Sequence, residues 1–286
     1  MNDLLARFVS RADLHQSPMH ASVMADIGWQ TIRLSPGSSL YLRRLGPVSL
    51  AKLQRPKAIN LPLLNQLRKQ YHILTLYLEP GLSAQGGSAL GGGWSVEPFA
   101  HSCTSLIDLT LTRSQLLASF NQNTRRNLKN PTVTIRSIPL RNLSHKDIDT
   151  FFALQNSWSH LKHLASYPIP FMRAVLARHS KDGYLHIAYL GTVPVALLLV
   201  LIYNRVATYY VAFGSVEGYH HSAPTLLTWT AMQTAKANGC DIFDFGGIYD
   251  SRYPKMYKKW QGFTKFKAGF RPTVVTYPPT YLKLFW

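Results

Sequence analysis

The sequence predicts an α+β fold in which helices flank mixed, largely antiparallel sheets. Three observations support this prediction. Alternating and apolar segments separated by two-residue turns indicate an antiparallel meander over residues 184–189, 195–203 and 206–213. A helix follows, with Pro224 in its first turn and Gly239 at its end. The apolar segment that follows that glycine reads as a further strand, and this order of elements is typical of layered α+β folds.

The part of the chain before the meander alternates shorter elements. Pro62 stands early in a helical segment, Pro131 ends a second helix, and Ser144 is a suitable N-cap for a third. The glycine-rich segment 86–93 lacks the Lys-Ser/Thr ending of a phosphate-binding loop and reads as a flexible connection. In order, we expect a helix over 20–27, strands over 30–34 and 39–44, a helix over 61–71, strands over 73–79 and 104–109, a helix over 112–129, a strand over 133–138, and helices over 144–161 and 171–179.

The most informative segment lies near the end of the chain. A strand begins at Asp241 and stops on Gly246-Gly247, and a basic, aromatic loop then leads to a second short strand within 262–270. A glycine pair at a strand end typically allows the backbone to approach another group closely. A lysine set between phenylalanines, as Lys267 is, fits a cation with a buried stem that faces an anion.

The charge of the chain is strongly unbalanced. Its 286 residues include 31 Lys and Arg against 13 Asp and Glu, which gives a formal net charge of +18. This excess indicates a polyanionic partner, whether nucleic acid, a phosphate-rich substrate or the anionic face of a membrane. A generally basic proteome or an effect on solubility is the alternative explanation.

The cysteines and the N-terminus predict a cytoplasmic protein. Cys103 and Cys240 lie far apart without paired spacing, which argues against a zinc site and against a disulfide-stabilised secreted fold. The first residues lack the apolar core of a signal peptide. The longest apolar run, 194–203, is far shorter than the ~20 residues of a membrane helix. We expect neither a metal site nor a cofactor.

Several short motifs, each weak alone, occur in a fixed order along the chain. They are His15-Gln16-Ser17-Pro18 with Gly28-Trp29, Leu45-Gly46-Pro47-Val48, Leu76-Tyr77-Leu78-Glu79-Pro80, Ile107-Asp108-Leu109 with 123–129, and the segments 241–248 and 262–270. The order of meander, helix and strand is that of a GNAT-type acyltransferase. Together the motifs resemble the FemABX family of peptidyltransferases, whose Asp-Phe-Gly-Gly-Ile and Phe-Lys-x-x-Phe signatures are similar to the last two segments. Those enzymes move amino acids from aminoacyl-tRNA onto peptidoglycan precursors.

The resemblance implies two GNAT-like acyltransferase subdomains. We place them at 1–140 and 141–271, with a tail at 272–286 that returns to the first subdomain. It also implies a monomeric aminoacyltransferase whose partners are aminoacyl-tRNA and a nucleotide-linked or lipid-linked muramyl peptide. A lipid-linked precursor would add peripheral contact with the inner face of the membrane.

Two residues are candidates for catalysis. By the resemblance, Lys267 takes the place of the family's functional lysine, where it would stabilise the tetrahedral oxyanion or contact the terminal phosphate of the tRNA. A surface lysine with a packed stem is the structural alternative. Asp108, at the end of an apolar strand, is a candidate base, and a turn or helix-start residue is the alternative. Asp244 could position the amine or pair with an arginine, and a structural salt bridge is the favoured interpretation.

Substrate-binding candidates are cations, tyrosines and residues of the informative segment. The resemblance implies a phosphate-binding cation in the first subdomain, and an arginine with a tyrosine after the domain junction, where this chain has Lys162 and Tyr167. The two tyrosines of the third meander strand are candidates for peptide contact, with sheet packing as the alternative. The full set is Arg43, Arg44, Lys162, Tyr167, Tyr209, Tyr210, Gly246, Gly247 and Phe266.

Other cations are candidates for contact with tRNA. A guanidinium suits phosphate, and Arg125 and Lys129 share one helical face, although a solvated basic face explains the pattern equally well. This set comprises Arg125, Arg126, Lys129, Lys258, Lys259 and Lys265.

Two other functions remain open. One is an N-acyltransferase that uses acyl-CoA or an acyl carrier; segment 214–224 lacks the glycine-rich pyrophosphate-binding pattern, which counts against CoA. The other is a non-catalytic protein of the same fold that binds RNA or the cell envelope, which the net charge would suit.

Overall fold

The computed structural model describes residues 3–35, 38–83, 94–96, 98 and 100–285. The expected glycine-rich connection at 86–93 lies outside these residues. The helices are α1 Asp3–Val9, α2 Pro18–Asp26, α3 Leu61–Gln70, α4 Arg113–Ser119, α5 Gln122–Lys129, α6 His145–Lys162, α7 Ile169–Arg178, α8 Val216–His220, α9 Ala223–Ala237, α10 Pro254–Tyr257 and α11 Gln261–Ala268. The strands are β1 Gln30–Ser35, β2 Ser38–Leu45, β3 Val48–Gln54, β4 Ile73–Glu79, β5 Trp94–Val96, β6 Cys103–Asp108, β7 Thr134–Pro139, β8 Gly183–Leu190, β9 Val193–Tyr203, β10 Val206–Gly214, β11 Ile242–Asp244, β12 Thr273–Thr276 and β13 Thr280–Leu284.

The chain forms two compact units, and neither is continuous in sequence. The first comprises Met1–Thr104, Gly247–Trp260 and Val275–Trp286, and the second comprises Ser105–Gly246 and Gln261–Val274. Residues 105–140 thus lie in the second unit, so the change of unit does not coincide with the boundary that we placed at residue 140.

The first unit is built on a sheet with the strand order β1-β2-β3-β4-β13-β5. β3 and β4 are parallel and are joined through α3, whereas β13 is antiparallel to both β4 and β5. Leu64 and Leu67 of α3 pack in one cluster with Leu42, Leu53 and Leu78 of the sheet, which gives this unit its own apolar core.

The second sheet has the order β12-β6-β11-β10-β9-β8-β7 and contains the predicted meander as β8, β9 and β10. α9 connects β10 to β11, which are parallel. Gly239 follows this helix with φ +76°, the left-handed conformation that lets a helix end sharply. The α+β prediction is confirmed. Among the described residues, none of the helices has both the length and the apolar character required to cross a membrane.

Two sequence-based expectations about secondary structure were wrong. The helix expected over 112–129 is two helices, because Phe120 is extended and the Asn121 side chain caps α5 by accepting a hydrogen bond from Thr124 N. The segment expected to hold a second short strand is instead the helix α11. The helical spacing is visible in the phenylalanines, because Phe266 and Phe270 follow Phe263 by three and seven residues. This spacing places them along one face.

Phe270, just after α11, joins this helix to the core of the second unit. Its ring is fully buried and makes edge-on contacts with Phe120 and Phe266 at centroid distances of 5.1 and 5.6 Å, and a tilted contact with Phe245 at 5.3 Å. α11 is therefore fixed at its C-terminal end by an aromatic cluster.

We expect Phe270→Ala to lower the free energy of unfolding by about 3–5 kcal/mol, because it leaves a cavity among three aromatic rings. Urea unfolding followed by circular dichroism measures this loss. Val274→Ala, at a largely exposed position four residues later, is the matched control and should change stability little. A loss below about 1 kcal/mol for Phe270→Ala would contradict the anchoring role.

Candidate functional site

Lys267 lies in the last turn of α11 and is buried with its ammonium group over an aromatic ring. Its Nζ is 5.2 Å from the ring centroid of Tyr209, on β10 of the same unit. Lysine is rarely buried unless it has compensating interactions. The position of this side chain thus differs from that of a solvated surface lysine, which was the structural alternative.

The environment lowers the basicity of Lys267. Burial disfavours its charged form and lowers its pKa to about 8, while the negative charge of Asp244 partly opposes this effect. Asp244 ends β11 and is itself buried, and its Oδ1 accepts a hydrogen bond from Gly246 N at 2.8 Å. A carboxylate that acts on a buried lysine was not foreseen from the sequence, which favoured a structural salt bridge for Asp244 with arginine as its partner.

Close contacts within the protein explain why positions 246 and 247 are both glycine. Gly246 has φ +66°, and a Cβ there would lie 3.1 Å from the carbonyl oxygen of Tyr209. At Gly247 a Cβ would overlap the indole ring of Trp260. Each glycine thus makes room for a neighbouring group of its own unit. Packing within the protein is sufficient to explain both glycines.

Tyr209 and Tyr210 lie at a β-bulge in β10. The register with β9 runs from Tyr209 opposite Val200 to Val211 opposite Leu199, so Tyr210 is the extra residue. Burial raises the pKa of both phenols, with additional contributions from Tyr219 at Tyr209 and from Tyr167 at Tyr210. These contributions indicate that Tyr167 lies near Tyr210.

Lys162, the last residue of α6, contacts an aromatic pair that was not identified from the sequence. Its Nζ is 4.5 Å from the ring centroid of Tyr219, whose hydroxyl accepts a hydrogen bond from Trp158 Nε1 at 3.1 Å. Trp158 in turn stacks on Phe263 of α11. Trp158 and Lys162 are one helical turn apart, but nothing in the sequence pairs them with Tyr219.

Asp108 is engaged in local structure at the end of β6. Its Oδ1 accepts hydrogen bonds from the amide and the hydroxyl of Thr110, at 3.0 and 2.7 Å. In the antiparallel register Asp108 lies opposite Ile242, whereas Asp244 lies opposite Leu106. The turn interpretation therefore describes its contacts, and Asp108 is at the end of this strand pair away from Asp244.

The predicted tRNA contacts fall into two groups. Arg125 has a structural role, because its guanidinium donates to the carbonyl oxygens of Ala118 and Phe120 at the end of α4. The other five are on the surface: Arg126, Lys129 and Lys265 in the second unit, and Lys258 and Lys259 in the first. Arg126 also donates to Asn123 Oδ1 at 2.7 Å.

Arg43 and Arg44 are exposed residues of β2 in the first unit. The guanidinium of Arg43 lies 5.9 Å from the ring centroid of Trp29, and Lys52 Nζ lies 4.8 Å from the same ring. Burial lowers the pKa of Lys52; Glu79 opposes this shift and Arg43 adds to it. Arg43 thus belongs to a cationic and aromatic group, whereas Phe266 in the second unit packs against the apolar core.

In the part of the chain that the structure describes, no group of three or more His, Cys, Asp and Glu side chains has an arrangement that could hold a metal ion.

We expect Asp244→Asn to lower the pKa of Lys267 below about 8, because the substitution removes the negative charge that favours the ammonium form. The Asn side-chain oxygen can still accept the hydrogen bond from Gly246. Titration of the lysine side-chain NMR signals measures the shift, with assignment by Lys267→Arg. Asp108→Asn is the control and should leave the midpoint unchanged. A native midpoint near 10.5 would contradict the buried environment of Lys267.

Comparison with known proteins adds the family context. A family model described as "Acetyltransferase (GNAT) domain" matches residues 118–259. No protein of curated function matches the sequence.

Solved structures share the fold over nearly the whole chain. The crystal structure of FemX matches with a TM-score of 0.76 and 14% identity, covering 99% of this chain and 95% of FemX. The C-terminal domain of an Agrobacterium fabrum protein described as a lysylphosphatidylglycerol synthetase matches with a TM-score of 0.63 and 15% identity, covering 98% and 92%. L-PGS from Bacillus licheniformis matches with a TM-score of 0.57 and 14% identity, covering 93% and 86%.

These likenesses establish the fold at low sequence identity. They confirm the expected GNAT-like architecture, with two mixed sheets flanked by helices. The match to the acetyltransferase family model supports a transferase of the acyl class. The chain has a FemABX-like GNAT fold.

Proposed function

We propose that this protein is an aminoacyltransferase that moves an amino acid from aminoacyl-tRNA to the stem-peptide amine of a peptidoglycan precursor. The observation that carries the proposal is the buried Lys267, held over Tyr209 and near Asp244, in a chain that shares its fold with FemX. Charged tRNA and muramyl precursors are made in the cytoplasm, so the protein would act there.

The reaction requires a neutral amine and stabilisation of a developing negative charge. The amine attacks the ester carbonyl of the aminoacyl-tRNA, and a C–N bond forms as negative charge collects on the carbonyl oxygen. The C–O bond to the ribose then breaks, the ribose oxygen takes a proton, and the attacking nitrogen loses one. The ester is already activated, so the transfer itself needs no metal and no covalent enzyme intermediate.

Lys267 would supply the positive charge that faces this oxyanion. With a pKa of about 8 it is mostly protonated at neutral pH, and Asp244 favours that state. Because the ammonium is buried, its interaction with a nearby anion is screened less than at the surface. A nearby phosphate at the tRNA terminus would be stabilised in the same way.

Other predicted residues would bind the two substrates. Tyr209, Tyr210 and Tyr167 offer hydroxyl and ring surfaces to a peptide, and Lys162 offers a cation to a diphosphate. In the first unit, Arg43 and Arg44 are exposed cations suited to phosphate. The surface cations Arg126, Lys129, Lys258, Lys259 and Lys265 would contact the tRNA backbone.

We expect Lys267→Met to reduce kcat by about 100- to 1,000-fold with a much smaller change in KM for the acceptor, because charge stabilisation acts in the transition state. Lys181→Met, at an exposed position of the same unit with no assigned substrate contact, is the matched control and should retain kcat. Transfer of alanine, serine or glycine from labelled tRNA to a muramyl pentapeptide measures both variants. If Lys267→Met lowered kcat and the affinity for the acceptor equally, Lys267 would be a binding residue and not a catalytic one.

The pH profile tests the charge state of Lys267. Turnover of the native enzyme should decline above about pH 8, where the ammonium loses its proton. In Lys267→Arg the guanidinium stays charged, so the residual turnover should continue to rise with pH as the acceptor amine deprotonates. An identical alkaline decline in both enzymes would exclude titration of Lys267 as its cause.

The donor and acceptor are distinguished with the same purified protein. Acetyl-CoA replaces the charged tRNA in one assay, and phosphatidylglycerol replaces the muramyl peptide in another, because a structure described as a lysylphosphatidylglycerol synthetase shares the fold. Transfer only from acetyl-CoA, or only to the lipid, would replace the proposed reaction. Absence of transfer in every assay, with tRNA binding retained, would favour a non-catalytic RNA-binding protein.

A further inference from the structure

The second unit carries a group of exposed apolar side chains around the end of α6. Ile169 and Val216 are 53% and 47% exposed, and large apolar residues of this kind are normally more deeply covered. We define the α6–α8 patch as Leu161, Lys162, Tyr167, Ile169, Val216 and Tyr219, of which all but Lys162 are exposed large apolar residues.

One face of α6 contacts two other segments of the patch, namely α8, which carries Tyr219, and the segment before α7, which carries Tyr167. Trp158 and Lys162 of that face contact Tyr219 of α8, at 3.1 Å by hydrogen bond and 4.5 Å to the ring centroid. On the same face Gln155 Nε2 donates to the carbonyl oxygen of Tyr167 at 2.9 Å. These α6 residues are three to seven positions apart, a spacing that aligns them along the helix.

A further hydrogen bond fixes the segment that leads into α7. Ser166 Oγ donates to Ser159 Oγ at 2.8 Å, which holds the chain before Ile169 against α6. The exposed apolar side chains therefore project from a fixed framework, and a flexible loop is not needed to explain their exposure.

The composition of the patch fits the interface of a lipid bilayer. Tyrosine combines an apolar ring with a polar tip and is favoured at the level of the lipid headgroups, where aliphatic side chains enter the acyl boundary. Lys162 lies within the patch, and the exposed Arg173 is one turn after Ile169 on the same face of α7. The one acid of α8, Glu217, is exposed, and its Oε2 lies 4.0 Å from His221 Nε2.

The charge of the whole chain favours an anionic surface. A formal net charge of +18 attracts the protein to a membrane that contains acidic lipids, and exposed apolar groups then add to the affinity. Because no described helix can cross a membrane, this contact would lie on the bilayer surface.

We propose that the α6–α8 patch docks this protein on the surface of an anionic lipid bilayer. The docking is distinct from the chemistry at Lys267, since it concerns where the protein is held, but it shares Lys162 and Tyr167 with the acceptor-binding set proposed above. It would bring the protein close to substrates that are themselves anchored in the membrane.

Co-sedimentation of the full chain with vesicles tests this docking. We expect binding to vesicles of equal parts phosphatidylserine and phosphatidylcholine, weak binding to phosphatidylcholine alone, and reduced binding when salt is raised well above about 0.1 M. Leu161→Ser with Ile169→Ser should weaken the partition coefficient by about tenfold or more, because two aliphatic side chains no longer enter the bilayer. Lys162→Ser should weaken it by about fivefold.

Val193→Ser is the matched control, because Val193 is 60% exposed in the same unit but is the first residue of β9 and not part of the patch. This variant should bind vesicles as the native chain does, and circular dichroism verifies that all variants are folded. Equal losses in the control and the patch variants, or unchanged binding in Leu161→Ser with Ile169→Ser, would overturn the proposal. So would unchanged vesicle binding together with a loss of affinity for UDP or AMP, since the patch would then face a nucleotide.

Discussion

Burial of one ammonium group is the constraint on which the candidate site depends. The aromatic cluster around Phe270 fixes the end of α11, and this places Lys267 inside the second unit with its Nζ over Tyr209. Burial of a cation is unfavourable, and Asp244 and the aromatic face of Tyr209 provide the compensation. The strand end, the bulged strand and the helix must therefore keep their relative positions for the lysine to remain where it is.

This burial has a defined cost in stability. Because the pKa of Lys267 is about 8 in the folded chain and 10.5 as its ordinary value, the unfolded chain binds the proton more tightly. The group therefore destabilises the fold at neutral pH, and this destabilisation is relieved as the pH rises from about 8 to 10.5. An apolar side chain would pack at this position without that cost. Strongly shifted pKa values that are maintained despite such a cost are frequent at functional sites.

Much of the architecture could be predicted from the sequence, because it depends on local signals. Two-residue turns and apolar alternation define the meander, and Pro224 and Gly239 bracket α9. Lys267 was selected by resemblance, but its neighbour Asp244 was not, since the effect of one buried charge on another depends on tertiary distance. The division of the 112–129 helix at Asn121 had a local signal that the prediction of one helix overlooked, since asparagine is a preferred N-cap residue. The contact of Lys162 with Tyr219 joins positions 57 apart in sequence, and no local pattern reports it.

The bulge at Tyr210 affects how the sequence of β10 could vary in length among related proteins. In a regular strand adjacent side chains point to opposite faces, so two successive tyrosines would be divided between the layers of the fold. The extra residue shifts the phase of that alternation within the strand, and both tyrosines are half-buried while Val211 and Phe213 remain in the core. Loss of the extra residue would restore a regular ladder but leave a single tyrosine at this point. Length variation at the bulge is thus a route by which related sequences could alter the aromatic surface near Lys267 while they retain the hydrogen bonding of the sheet.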